Sequence, residues 1–205
     1  MCFLIKFTTV NYLAHIYLSG DDDYIKIGNF IADRVKGKEY LDYQVDIQYG
    51  ILLHRQIDTF TDKHSIVKKS KLRLHERYRH YDGVIIDILY DHFLAKNWKI
   101  YSEIPLNKYV QHFYGLLASN YKLLPQKIQY LYPFMISGNW LYNYRTINGI
   151  EKVLKGMNKR SGYKSHMHLA VEDLQLYYDE FENDFTIFFE ILRTFSHEKL
   201  QTLMT

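Results

Sequence analysis

His54, Asp58 and Asp62 stand at steps of four in the run from Gly50 to Asp62, which holds no helix breaker after its glycine. At 3.6 residues per turn, three such residues project from one side of a helix. A neutral imidazole beside ionised carboxylates is a donor set for a divalent cation. It is poorly suited to an apolar core, where an unpaired carboxylate is costly. Other segments carry the same chemistry. Asn29 and Asp33 share a face after Gly28, Asp87 and Asp91 lie one turn apart with His92 adjacent, and His15 interrupts the apolar run Tyr12-Leu13-Ala14-His15-Ile16. Converging His and Asp from several helices is how helical bundles build metal centres. Oxygen-rich ligation with imidazole favours Mn, Mg or Fe over a structural zinc. Singly, each has a plainer reading: a surface His–Asp pair, a helix cap at Asp62 or Asp82, a solvated end at Asp33, a satisfied core histidine at His15. Their combination favours a metal. No Ser-His-Asp signature, phosphate-binding glycine loop or Cys-His pair competes with it.

A basic stretch follows directly: Lys63, Lys68, Lys69, Lys71, Arg73, Arg77 and Arg79. It reads either as a solvated helix face or as a docking strip for an acidic partner.

These side chains need a scaffold, and the scaffold reads as all-α. The 205 residues suit a single domain, and 47% are apolar, enough for a sizeable core. Only 3 are proline, and no stretch alternates as a strand would. Helices are expected from Asn11 to Leu18, from the acidic turn Asp21-Asp22-Asp23 to about Arg34 with Gly37 beyond, and from Tyr43 to Asp62. Further helices are expected over Ser65 to Arg79, over Asp82 to Trp98, and from Pro105 to about Tyr121. Pro125 and Pro133 should bound shorter pieces. Met167 to Phe195 keeps an apolar period near 3.6 and reads as one long packing helix. The net charge of +3, from 26 basic and 23 acidic residues, gives no ground for nucleic-acid binding. Cys2 stands alone, which excludes an internal disulfide and suits a reducing cytoplasm. No run approaches the roughly 20 apolar residues of a membrane span, so a soluble cytoplasmic protein is expected. Oligomeric state is not legible.

The motifs also carry a resemblance. Asn11-Tyr12-Leu13-Ala14-His15, Gly28-Asn29-x-x-x-Asp33-x-x-x-Gly37, Gly50-Ile51-x-x-His54-Arg55-x-Ile57-Asp58-x-x-Thr61-Asp62 and Asp87-x-x-x-Asp91-His92-Phe93 occur in that order. Trp140-Leu141-x-x-Tyr144-Arg145 and Val153-Leu154-x-Gly156-Met157-x-x-Arg160 follow. The whole resembles the acyl carrier protein phosphodiesterases, divergent relatives of the HD phosphohydrolases, over nearly all the chain from Asn11. The resemblance implies a single-domain helical bundle of the HD type spanning residues 11–200. It implies a hydrolase that removes 4′-phosphopantetheine from holo-acyl carrier protein with Mn2+ (Mg2+ or Fe2+ as alternatives) and an activated water. Asp33, His54 and Asp58 match its motif positions and Asp91 and His92 its Asp-His pair, so these five are the expected ligands, although the usual HD ligand order is not reproduced. His15 or His92 would supply the proton for the leaving serine oxygen, Asp62 would assist, and Arg55 would hold phosphate oxygens unless it pairs with Asp58 or Asp62. Lys68, Lys69, Lys71 and Arg73 would receive the acidic carrier protein. A small-nucleotide phosphodiesterase and a catalytically inactive carrier-binding module remain as alternatives. Family members begin with methionine where this chain has Val10, so residues 1–9 are expected to be an extension dispensable to the domain.

Overall fold

The computed structural model describes residues 12–205, so the expectation about residues 1–9 lies outside the described residues. The elements are α1 (Tyr12–Leu18), α2 (Asp23–Ile31), α3 (Val45–Lys63), α4 (Ser65–Tyr78), α5 (Asp82–Lys96), α6 (Trp98–Tyr101), α7 (Leu106–Ser119), α8 (Gln126–Ser137), α9 (Trp140–Asn143), α10 (Ile147–Arg160), α11 (Ala170–Leu176) and α12 (Tyr178–Met204), joined by short 3-10 turns. The described residues contain no strand, so the fold is all-α.

The acidic turn works as its composition predicts. One carboxylate oxygen of Asp22 accepts from the amides of Tyr24 (2.8 Å) and Ile25 (2.9 Å), satisfying donors that the first turn of α2 leaves open. The helix ends sooner than expected, at Ile31, and tightens into a 3-10 turn over Ala32–Arg34. Asp33 therefore leaves the chain from that turn rather than from α2.

Helices α2 and α3 make the most extensive helix pair in the molecule. Gly28 and Gly50 permit it. A Cβ on Gly28 would lie 2.1 Å from the Ile47 carbonyl oxygen, and one on Gly50 would lie 2.2 Å from that of Ile25. Backbone meets backbone, and neither helix can yield without moving as a unit. Alanine is the better helix former by about 1 kcal/mol, so propensity alone favours Gly50→Ala. The clash outweighs it: we expect Gly50→Ala to lower stability by at least about 2 kcal/mol, read as a reduced urea midpoint at unchanged m.

Helix α5 is the centre of the core. Every residue from Val84 to Ala95 is buried, as befits a helix apolar nearly all round. Helix α12 lays Phe185 and Phe188 against it, where Tyr90 meets both rings and Phe93 stacks on Phe185. The expected helix over Met167–Phe195 is broken at Tyr177, between α11 and α12, and α12 runs on to Met204. Pro133 lies inside α8 instead of ending it. Proline cannot donate to the carbonyl four residues earlier, and that carbonyl, of Gln129, accepts from the Tyr121 hydroxyl instead (3.0 Å).

One charged cluster ties α4 to α12. Asp184, 2% exposed, accepts from Arg73 (2.7 Å), Ser70 (2.9 Å) and Lys69 (3.1 Å). Burial pushes its carboxyl up, but these three donors prevail and hold it below the ordinary carboxylate range. Asp184→Ala strands Arg73 and is expected to cost about 3–5 kcal/mol near neutrality. A depressed carboxylate stabilises above its unfolded pKa and loses that contribution as pH falls through its folded value. The Tm gap between wild type and Asp184→Ala should therefore narrow in acid and stay constant above about pH 5.

Candidate metal centre

Four short stretches deliver the site. Helix α1 carries His15, α2 carries Asn29, the following 3-10 turn carries Asp33, and α3 carries His54 and Asp58. Asn29 is fully buried at the point where the first three helices meet. Its amide nitrogen donates to the His15 carbonyl (3.0 Å) and to the Ser19 hydroxyl (2.9 Å), which fixes which end of the amide is oxygen. That oxygen faces Nδ1 of His15 at 2.6 Å and Nδ1 of His54 at 3.2 Å. An amide oxygen only accepts, so both Nδ1 atoms carry protons. When the rings are neutral, both Nε2 atoms then hold lone pairs.

Those lone pairs point at carboxylates. Nε2 of His15 is 3.3 Å from Asp58 Oδ1, and Nε2 of His54 is 3.2 Å from Asp58 Oδ2 and 3.5 Å from Asp33 Oδ1. The approaches lack hydrogen-bond geometry: both Nε2 atoms are buried with no hydrogen-bond partner. The two rings stack with centroids 4.0 Å apart. Donor atoms of His15, His54 and Asp58 all lie within 4.8 Å of one another. Buried imidazole nitrogens without partners, set beside a carboxylate, match the donor chemistry of a divalent cation.

The charges agree. Burial and the neighbouring His54 push the His15 imidazole below its ordinary range. Burial also pulls His54 down, but Asp33 and Asp58 outweigh it and raise that ring well above neutrality. Asp58 is pushed up by burial and held far below the carboxylate range by the two histidines. Two imidazolium rings stacked this closely would repel, so one proton, on His54, satisfies the cluster when nothing else does. A cation at that spot does the same work with more charge.

The remaining sequence candidates lie elsewhere or are engaged otherwise. Both oxygens of Asp91 accept backbone amides at the start of α1, from Leu13 (2.9 Å) and Ala14 (2.8 Å). It caps α1 from another helix and so holds His15 in position. Both ring nitrogens of His92 are occupied, Nδ1 by the Tyr144 carbonyl (2.7 Å) and Nε2 by the Tyr178 hydroxyl (2.8 Å). Asp87, one turn before Asp91, is the acidic group of α5 that faces this region. It is buried, and its carboxyl is raised by burial and by the charge of Asp58. Arg55 pairs with neither Asp58 nor Asp62. Its guanidinium donates to the Val35 carbonyl (3.1 Å) and lies over Tyr40, bracing the segment after Asp33. Asp62 is exposed and ion-paired with Lys71 (2.8 Å). Lys69 and Arg73 are committed to Asp184.

Asn29 is the residue whose role spacing did not reveal. Its one local sign was a position four before Asp33 beside Gly28.

With this geometry in place, relatives are informative. The chain matches the family described as acyl carrier protein phosphodiesterase over residues 10–192. The protein of that name from Photorhabdus laumondii is 32% identical over 88% of this chain and 91% of its own length. Those from Yersinia enterocolitica and Klebsiella pneumoniae are each 29% identical over 93% of this chain and 99% of theirs. No solved structure matches the chain. A match that runs from residue 10, two positions ahead of α1, into α12, and so takes in every element that builds the histidine–aspartate cluster, makes this chain a member of the acyl carrier protein phosphodiesterase family.

Proposed function

We propose that the chain hydrolyses the phosphodiester between 4′-phosphopantetheine and the serine of holo-acyl carrier protein, using a divalent cation held by His15, His54 and Asp58. The paired Nε2 atoms facing Asp58, both without hydrogen-bond partners, carry this reading. Asp33 and Asp87 flank the three, and Asp87 fills the part on α5 that the sequence pattern assigns to Asp91 or His92. Manganese suits the mixed imidazole and carboxylate donors, with Mg2+ or Fe2+ as alternatives. Such a cation withdraws charge from a phosphoryl oxygen and acidifies water. The chain's own groups do the rest. Asn29 holds both imidazoles as Nδ1–H tautomers, and Asp58, with a side chain 30% exposed, marks the solvent side from which substrate enters. Water oxygen adds to phosphorus, the bond from phosphorus to the serine oxygen breaks, and that oxygen takes a proton, giving apo-carrier protein and 4′-phosphopantetheine. Among the described residues no helix is long and apolar enough to cross a membrane.

Mass spectrometry of holo-acyl carrier protein after incubation with the protein and Mn2+ tests this. Loss of the 4′-phosphopantetheine mass is expected. An unchanged holo protein beside turnover of a nucleotide diester would overturn the substrate.

Docking of the acidic carrier protein falls to the free end of the basic strip. Lys68 is exposed on α4, whereas reversing Lys69 or Arg73 would break the Asp184 cluster and test stability instead. Lys68→Glu should lower kcat/KM on holo carrier protein about twofold to fivefold, within the ~1 kcal/mol of an exposed ion pair, and the loss should shrink with salt. Hydrolysis of bis(4-nitrophenyl) phosphate should not change.

A further inference from the structure

A cleft of about 600 Å³ lies between α8, α9 and α10, outside the histidine–aspartate cluster. Its walls include Tyr130, Phe134, Trp140 and Tyr144, and its cations are Lys152 and Arg160. A volume of this size suits a small organic ligand held by apolar walls and a few polar groups. Two observations say more. Tyr144 is fully buried, yet its hydroxyl has no hydrogen-bond partner, a deficit that a bound amide or hydroxyl would correct. The cleft is also joined to the cluster. Tyr144 in its wall accepts at its carbonyl from His92 on α5 (2.7 Å), and Asp91, the residue before His92, holds the amides of Leu13 and Ala14 next to His15.

We propose that this cleft receives the pantetheine arm of the substrate while its phosphate sits at the histidine–aspartate cluster; the assignment rests on the function proposed above. The arm fits the lining chemically. Its methyl and methylene groups meet Trp140 and Phe134, and its amides and hydroxyl offer partners to the Tyr144 hydroxyl and to Lys152. Arg160 offers a cation to the phosphate end. The rim at Tyr130 and Phe134 is open, 75% and 52% exposed, so the thiol end reaches solvent.

Gly156 provides the test. It lines the cleft within α10, and a Cβ there meets no atom within 4 Å, so a larger side chain enters the empty space without displacing the backbone. Gly156→Phe should raise KM for holo-acyl carrier protein at least about tenfold, equivalent to ~1.4 kcal/mol of lost binding, with bis(4-nitrophenyl) phosphate hydrolysis unchanged. Tyr144→Phe, which removes only the unpartnered hydroxyl, should raise KM about threefold and fold normally. A second readout needs no turnover. Trp140 lines the cleft, while Trp98 is buried against Tyr17 and Tyr109, so titration with 4′-phosphopantetheine should shift tryptophan emission in the wild type and not in Gly156→Phe.

Unaltered KM and an unaltered emission shift in Gly156→Phe would overturn the cleft assignment. Equal losses on both substrates would overturn it too, by making the cleft structural. Should the wild type leave holo carrier protein intact while the emission shift is present and abolished by Gly156→Phe, the cleft stands and the proposed function falls. Coenzyme A carries the same arm. Its turnover in place of holo carrier protein, with the same sensitivity to Gly156→Phe, would keep the cleft and replace the carrier protein as its source.

Discussion

Asp58→Ala is expected to abolish stoichiometric manganese binding and to reduce turnover of holo carrier protein at least about a hundredfold. Its two oxygens are the ones that approach both partnerless Nε2 atoms, at 3.3 and 3.2 Å. With the methyl group of alanine in its place, the imidazoles retain Asn29 but lose the shared carboxylate between them. The fold should survive, because the Asp58 side chain is 30% exposed. Metal analysis of purified protein and calorimetric titration with Mn2+ measure the first effect. Retained stoichiometric metal in the variant would remove Asp58 from the donor set.

The same substitution has a pH signature in metal-free protein. His54 is raised and Asp58 depressed, each by the other. A raised histidine stabilises fully below its unfolded pKa of about 6.5 and loses that contribution as pH rises through its folded value; a depressed aspartate contributes only above its own folded value. The pair therefore stabilises across neutrality and fades as pH rises towards about 10. The Tm difference between metal-free wild type and Asp58→Ala should follow that window. Mn2+ affinity of the wild type should strengthen with rising pH, because binding must displace the His54 proton. A Tm difference that grew above neutrality would mean that His54 is not the protonated partner.

Parts of this site were legible in the sequence for a definable reason. His54 and Asp58 share a helix, and a step of four is a local relation that the helical period turns directly into proximity. Asp33 carried a weaker form of the same signal beside Asn29. What the sequence hid was relations between helices. Asp91 looked like a ligand because it is an aspartate beside a histidine, yet its oxygens satisfy amides of α1, 78 and 77 residues away in sequence. No periodicity reports a cap supplied from another helix. His92 is hidden likewise, its partners Tyr144 and Tyr178 lying on segments far along the chain. The basic strip read as a docking surface because Asp184, which neutralises Lys69 and Arg73, comes more than a hundred residues later. The fold shows the same division. Helix α2 stops at Ile31, whereas the α1, α3, α4 and α5 spans follow the apolar period closely. The break at Tyr177 does not, because the apolar period runs straight across it.

Asn29→Ala is expected to have the largest combined effect on fold and metal. Asn29 is fully buried and makes four contacts that alanine cannot replace, to the His15 carbonyl, the Ser19 hydroxyl and Nδ1 of both histidines. Each buried group left unpaired costs about 1–3 kcal/mol, partly relieved because Ser19 also donates to the His15 carbonyl (2.8 Å). A loss of about 2–4 kcal/mol follows, read from urea unfolding. Metal affinity should fall about 10–100-fold, the scale for removing a group that orients a ligand histidine. Stability and orientation are separable through Asn29→Asp. A carboxylate still accepts from both Nδ1–H groups, but it cannot donate to the His15 carbonyl or to Ser19. Asn29→Asp should therefore keep more of the Mn2+ affinity than Asn29→Ala although it also unfolds more easily than wild type. Nitrogen-15 spectra of the imidazoles give the direct reading: protonated Nδ1 in both rings of the wild type, and mixed tautomers in Asn29→Ala. If Asn29→Ala kept both rings protonated at Nδ1 with wild-type metal affinity, the tautomers would be set by something other than the Asn29 oxygen, and the case for two Nε2 donors would lose its support.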